Sequence, residues 1–319
     1  MLNGPPGSPE GHPAESAPLI LDVKGNSLDD GPGIRSVVFF KGCPLSCVWC
    51  HNPESKKAAV EIAFDAAACT GCDSCLAVCD QHALSRDNPG YIDREACNLC
   101  FVCVAACPSG ALEQVGRAMS VDLITDTILK DKPFFDTSGG GVTFSGGEPT
   151  LFMPFLSRLA SSIRQAGVHT LLETCGLFDV DRFASLVLPH LDTIYCDLKI
   201  FDRDAHRRYC GVPNDLILEN VVRLAERACH GDIGFLPRIP LVPELTATPD
   251  NMRAWAAFLK RHRIDQVKLL AYNPFWPEKT VKIGEDNAYA GKKSLQSWMT
   301  PAEIKELEKI FHQSGIQTL

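Results

Sequence analysis

No stretch of this sequence reaches the roughly 18 consecutive apolar residues that a membrane-spanning helix needs. A helical membrane span is therefore excluded. The opening residues, MLNGPPGSPEGHPAESAP, have neither a cationic segment nor an apolar core, so they do not read as a signal or transit peptide. Rich in Pro, Gly, Ser and Glu, they predict a disordered leader over residues 1–17. Basic charge is scarce too. The chain has 31 Lys and Arg against 39 Asp and Glu, a net charge of -8, and its basic residues are interspersed with acids. Phosphate contacts need clustered Lys and Arg, so neither nucleic acid nor membrane is an expected partner. Without an export signal the expected location is the cytoplasm, where thiols serve metals or redox chemistry more often than disulfides.

Thiols are what the sequence does have. Eleven of its 15 cysteines lie between 43 and 107, and Cys175, Cys196, Cys210 and Cys229 are scattered singly. Cys196 and Cys229 stand in apolar surroundings and are expected to be small core residues; packing is expected of Cys175 as well. The stretches CTGCDSCLAVCDQHAL (69–84) and CNLCFVCVAACPSGAL (97–112) align without a gap and form an internal repeat. Only GYIDREA separates them with any strand character. The segment 60–115 must therefore take its order from ligands rather than from a large apolar core.

At 319 residues the chain is long enough for about two domains. From residue 119 apolar strands alternate with amphipathic helices. Strands are expected at 141–146, 169–174, 192–199, 233–242 and 266–272, and LILDVKG and RSVVFFKG supply one or two more. Ser120 is placed to cap a helix, and Thr300 with Glu303 forms a capping box before a helix that Gly315 ends. Such alternation implies a parallel sheet, and about six units suit a closed or partly closed barrel with its chemistry at the strands' C-terminal ends. SGGEP, ETCG, DLK and a three-cysteine loop each follow a strand, so they share one rim.

That loop, FKGCPLSCVWCHNP, holds Cys43, Cys47 and Cys50. Three thiolates are one short of a closed tetrahedral zinc site, and His51, adjacent to Cys50, is poorly placed to complete it. The other reading is a four-iron, four-sulfur cluster with one iron left open. The spacing CxxxCxxC, with Trp49 before its last Cys, resembles the signature of the radical S-adenosylmethionine (SAM) enzymes. DGPGIR, GGVTFSGGEP, ETCG and DLK follow in the order of the activating enzymes of glycyl radical enzymes, a likeness that runs from about residue 18 to the C-terminus. The eight-cysteine segment resembles that of the larger subgroup.

The resemblance implies an α/β fold, a partial (β/α)6 TIM-like radical SAM barrel over 18–59 and 116–319, with a ferredoxin-like two-cluster insert at 60–115. It also implies an activity: reductive cleavage of SAM to a 5′-deoxyadenosyl radical, which takes a hydrogen atom from a glycine of a partner glycyl radical enzyme. Cys43, Cys47 and Cys50 would hold the catalytic cluster, with Trp49 to His51 along the adenine. Gly146 and Gly147 would let the backbone approach the methionyl end, and Glu148 would accept its ammonium group. Asp197 and Lys199 would hold ribose and carboxylate. Glu173 and Thr174 match an Asp-Thr beside a monovalent cation, Asn251 matches a ribose contact, and Asp30 and Arg35 match contacts to the partner.

The eight-cysteine repeat fits a zinc ribbon on Cys69, Cys72, Cys97 and Cys100, or the two-cluster bacterial ferredoxin run. In the ferredoxin arrangement Cys69, Cys72, Cys75 and Cys107 hold one 4Fe-4S cluster, and Cys97, Cys100, Cys103 and Cys79 the other. Three clusters would then be present in all, fed by a flavodoxin or ferredoxin. Asp80 departs from the run, which has Pro there. Two other functions compete: a radical SAM enzyme acting on a small molecule or another peptide, and a non-enzymatic iron-sulfur electron carrier.

Overall fold

The apolar runs read from the sequence become eleven strands among the described residues, 17–319, of a computed structural model. The leader expected over 1–17 lies, but for its last residue, outside the described residues. The strands are β1 (Leu19–Ser27), β2 (Arg35–Lys41), β3 (Glu61–Phe64), β4 (Leu112–Val115), β5 (Arg117–Ala118), β6 (Gly141–Gly146), β7 (His169–Thr174), β8 (Thr193–Asp197), β9 (Gly234–Pro240), β10 (Gln266–Leu270) and β11 (Gln317–Thr318). Nine of them form one sheet in the order β11-β10-β9-β8-β7-β6-β2-β1-β5. From β11 to β2 all neighbours are parallel; β1 and β5 extend the edge antiparallel. The two edge strands do not meet, so the barrel is partial. Of the two N-terminal runs, RSVVFFKG supplies a barrel strand and LILDVKG an antiparallel edge.

Parallel strands covered on both faces are apolar along their length rather than alternating. Four successive residues of β6, Gly141 to Phe144, are buried accordingly. The helix Met153–Gln165 turns Phe155, Leu156, Leu159, Ala160 and Ile163 onto this sheet at the spacing of one helical face. Each large side chain so buried is worth about 1.5–3 kcal/mol. Ser120 accepts from the Leu123 amide at its helix start, and the Thr300/Glu303 capping box closes in both directions.

Between β2 and β6 the chain makes its long excursion. The strands β3 and β4 pair antiparallel, Glu61 opposite Val115 and Phe64 opposite Leu112, so the ends of residues 61–115 lie side by side. The buried apolar set within this excursion is small: Ile62, Leu84, Tyr91, Ile92 and Leu112 with Cys75 and Cys103. Its helices, Ser74–Ala77 and Val102–Ala106, are single turns. A buried Lys41 ties the neck to the barrel by donating to the Glu61 carboxylate (2.6 Å) and the Glu54 carbonyl (2.7 Å).

Candidate active site

At the C-terminal end of β2 the chain turns at Gly42 into the three-cysteine loop. Ser46 N donates to Cys210 O (2.9 Å) and Val48 N to Tyr209 O (3.0 Å), which pins the loop to the end of the helix Arg203–Cys210. From the other side, Asn287 donates to Val48 O (2.7 Å) and Lys279 Nζ to His51 O (3.0 Å). Leu45, Cys47 and Trp49 sink into a cluster with Tyr272, Trp276 and Leu295. Nothing in the sequence around 272–295 signals this clamp, because it is held by single hydrogen bonds, one of them from the Trp276 indole to the Tyr272 hydroxyl, rather than by a periodic face.

A cavity of about 210 Å³ opens beside the loop. Cys43, Cys47, Cys50, Trp49 and His51 line it on one side; Gly146, Gly147, Glu173, Thr174, Asp197 and Lys199 line it on the others. Residues from the ends of β2, β6, β7 and β8 thus converge on one space. His51 Nε2 is buried with no hydrogen-bond partner among the described residues. Burial, with Lys279 adding to it, takes the His51 pKa down to about 4. The Cys210 thiol beside Cys47 lowers its pKa to about 7 against the effect of burial, whereas burial pushes Cys50 up to about 12.

Arg238, on β9, went unremarked in the sequence. Its guanidinium is 5% exposed, donates twice to Asp197 Oδ1 (Nε 2.9 Å, Nη2 2.8 Å) and also bonds Glu173. Ser145 Oγ donates to the other Glu173 oxygen (2.7 Å), and Lys199 Nζ stands 3.8 Å from Asp197. Burial raises the Glu173 carboxyl above its ordinary range in spite of Arg238. For Asp197 burial acts the same way, but Arg238 and Lys199 together outweigh it and its pKa is lowered. The two partners of one arginine therefore shift in opposite directions, because Asp197 has two cations and a more exposed side chain, 27% against 10%. Of the Glu173 and Thr174 pair matched to a monovalent-cation site, Glu173 bonds Arg238 and Thr174 Oγ1 donates to Glu148 (2.9 Å).

Four of the expected contact residues are engaged within the protein itself. Glu148 is fully buried and does not line the cavity. Its carboxylate accepts from Thr150 N, Thr150 Oγ1 (2.7 Å), Thr174 Oγ1 (2.9 Å) and Cys175 N (2.7 Å), so it ties the β6 rim to the β7 rim. Asn251 lies off the cavity as well. Its side chain accepts from Phe201 N (2.8 Å) and donates to Lys199 O (3.0 Å) and Thr246 O (2.9 Å), which holds the turn after Asp197. Arg35 has no exposed surface for a partner: it bonds Thr143 Oγ1 (2.6 Å) and Val142 O (2.5 Å) at the opposite end of β2 from the cysteine loop. Asp30, half-buried, accepts from Ser27 Oγ. Cys229 is exposed at a helix end, while Cys196 is buried as expected.

The two glycines are required, though by the chain itself. A Cβ on Gly147 would lie 2.1 Å from the Gly42 carbonyl, and one on Gly146, at φ 104°, 2.5 Å from Phe40 N. They allow the β6 rim to hydrogen-bond the β2 rim, Gly147 N to Phe40 O (2.8 Å) and Glu148 N to Gly42 O (2.8 Å).

Within residues 61–115 two smaller spaces open. Cys69, Cys72, Cys75 and Cys107 line one. Cys79, Cys97, Cys100 and Cys103 line the other. Among the described residues no three His, Cys, Asp or Glu side chains converge tightly enough to hold a single metal ion; the thiols surround a volume instead. No helix among the described residues is long and apolar enough to cross a membrane.

Comparison with known proteins gives the family. Residues 37–256 match the Radical SAM superfamily. The trans-4-hydroxy-L-proline dehydratase activating enzyme of Clostridioides difficile is 37% identical over 94% of this chain and 98% of its own length. The benzylsuccinate synthase activating enzyme of Thauera aromatica is 39% identical over 85% of this chain and 83% of its own. A radical SAM methyltransferase structure from Sphaerobacter thermophilus shares the fold at a TM-score of 0.52 and 12% identity, covering 95% of this chain and 76% of that one. The chain therefore belongs to the radical SAM superfamily and, within it, to the activating enzymes of glycyl radical enzymes.

Proposed function

We propose that Cys43, Cys47 and Cys50 hold a four-iron, four-sulfur cluster with one open iron, and that SAM occupies the rest of the cavity. The observation that carries this reading is the convergence of the three thiols with Gly146–Gly147, Glu173–Thr174, Asp197 and Lys199 on one space at the strands' C-terminal rim. When bound, the cluster supplies the electron that splits SAM into methionine and a 5′-deoxyadenosyl radical, which takes a hydrogen atom from a glycine of the partner enzyme. The protein's task is orientation and the exclusion of water. Trp49 packs the adenine, and the unpartnered His51 Nε2 is free to bond it. Asp197 accepts from the ribose, and Lys199 pairs with the methionyl carboxylate. Glu148 and Asn251 hold the rim and the Lys199 turn rather than the cosubstrate.

The two four-thiol spaces suit two further 4Fe-4S clusters, one on Cys69, Cys72, Cys75 and Cys107, the other on Cys97, Cys100, Cys103 and Cys79. They receive electrons from a flavodoxin or ferredoxin. If they form an obligatory relay, Cys72→Ala with Cys100→Ala abolishes reduction by the biological donor and leaves dithionite-driven cleavage; equal loss with both reductants means a structural role. The central test is to reduce the anaerobic protein with SAM and a candidate glycyl radical enzyme. Free 5′-deoxyadenosine and a glycyl radical doublet in electron spin resonance are expected, and both vanish in Cys47→Ala. Intact SAM under strong reductant would overturn the proposal.

A further inference from the structure

The two halves of the cysteine repeat are not equally furnished with hydroxyl groups. Tyr91 Oη lies 3.0 Å from Cys75 Sγ in a buried contact. The Cys72 thiol donates to Ser74 Oγ at 3.4 Å, and Ser109 Oγ is 3.7 Å from Cys107 Sγ. Three of the four thiols around the first space therefore touch a hydroxyl. Among the described residues no side-chain hydrogen bond reaches the sulfur of Cys79, Cys97, Cys100 or Cys103. The repeat explains the difference directly. Shifting by its 28-residue period, Ser74 corresponds to Val102 and Ser109 to Gln81.

Tyr91 is held in this position at a backbone penalty. It is 8% exposed, adopts φ 72°, a region disfavoured for a bulky side chain, and stacks on Phe64 with ring centroids 4.3 Å apart. An aromatic ring kept in a strained conformation with its hydroxyl against a thiol points to a function for that contact.

Resting on the cluster reading above, we infer that Tyr91, Ser74 and Ser109 are positioning residues that raise the reduction potential of the cluster on Cys69, Cys72, Cys75 and Cys107 above that of its repeat mate. Once the cysteines are thiolate ligands, the three hydroxyls donate to sulfur. Hydrogen bonds to the sulfurs offset the negative charge that reduction adds, so they favour the reduced cluster. The mate lacks these donors, and the one carboxylate that lines the first space, Asp73, is paired with Arg86. Arg94, near Cys97, works in the opposite sense. Its guanidinium, however, bonds the Ile62 carbonyl (2.8 Å), and Glu61 and Glu285 oppose its charge. On one-electron reduction of the insert, the electron resides on the Tyr91 side.

The test is a potentiometric titration of the anaerobically reconstituted full chain, followed by electron spin resonance, with the catalytic cluster identified by its response to SAM. Wild type should give two separate insert waves. Tyr91→Phe, which keeps the ring stack, should lower the higher wave alone, and Ser74→Ala with Ser109→Ala should lower the same wave. Val102→Ser should raise the lower one. Should Tyr91→Phe fail to fold, the serine pair gives the same readout. Coincident insert waves in wild type, or a higher wave that stays put in these variants while iron content remains about twelve per chain, would overturn this inference alone. A wild-type protein with only about four irons would overturn the cluster reading beneath it.

Discussion

Arg238 holds two carboxylates at the cavity wall. Removing one partner of a buried charge network leaves the others uncompensated, which costs about 3–5 kcal/mol. Arg238→Met should therefore lower the unfolding free energy of the anaerobic protein, read from urea titration, by that amount and weaken SAM binding in calorimetry. Arg238→Lys keeps the charge without the planar fork that reaches both Glu173 and Asp197, so its loss should be intermediate. Equal stability of wild type and Arg238→Met would show that the network carries no weight. The reading of Gly146 and Gly147 changes at the same scale. Their motif marks a rim, but what forbids a side chain there is the neighbouring backbone.

Two elements carry predictions of their own. Lys41, fully buried at the end of β2, meets Glu61 at the start of β3. Lys41→Met leaves Glu61 with only the exposed Lys57 (3.0 Å), and should cost about 3 kcal/mol by chemical denaturation. At the start of β7, His169 Nδ1 lies 3.3 Å from Arg35 Nη2. Burial, and then the Arg35 charge, lowers the His169 pKa. The unfolded chain then binds a proton that the folded chain refuses, so stability falls as pH drops below about 6.5 and levels off below the folded value. His169→Asn should reduce that slope, to which the buried His51 and His206 also contribute, in urea midpoints measured from about pH 7 to 5. An unchanged slope would remove His169 as its source.

On the scale of the molecule, residues 61–115 hang from the barrel by a paired neck and have their own small apolar cluster. Replacing 63–113 by a short turn, with Glu61 retained for Lys41, should leave a folded barrel. Such a protein should bind about four irons where the full chain binds about twelve. A truncated chain that is unfolded by circular dichroism would instead make the excursion part of the barrel's own stability.

Motif spacing, strand order and the thiol repeat were legible because each is local: a rim loop follows its strand, and ligand spacing is set by a few residues of chain. From these came the parallel sheet, the cysteine loop, the rim cluster and the two four-thiol sets. Tertiary structure alone decided that Arg238 bridges Glu173 and Asp197, that Glu148 ties Thr150 to Thr174 and Cys175 while Asn251 bonds backbone groups, and that Cys229 is exposed. It alone brought Tyr91 to Cys75. A side chain's partner depends on which strand or turn lies across from it, and contacts between residues 16 to 65 positions apart leave no periodic trace in the chain.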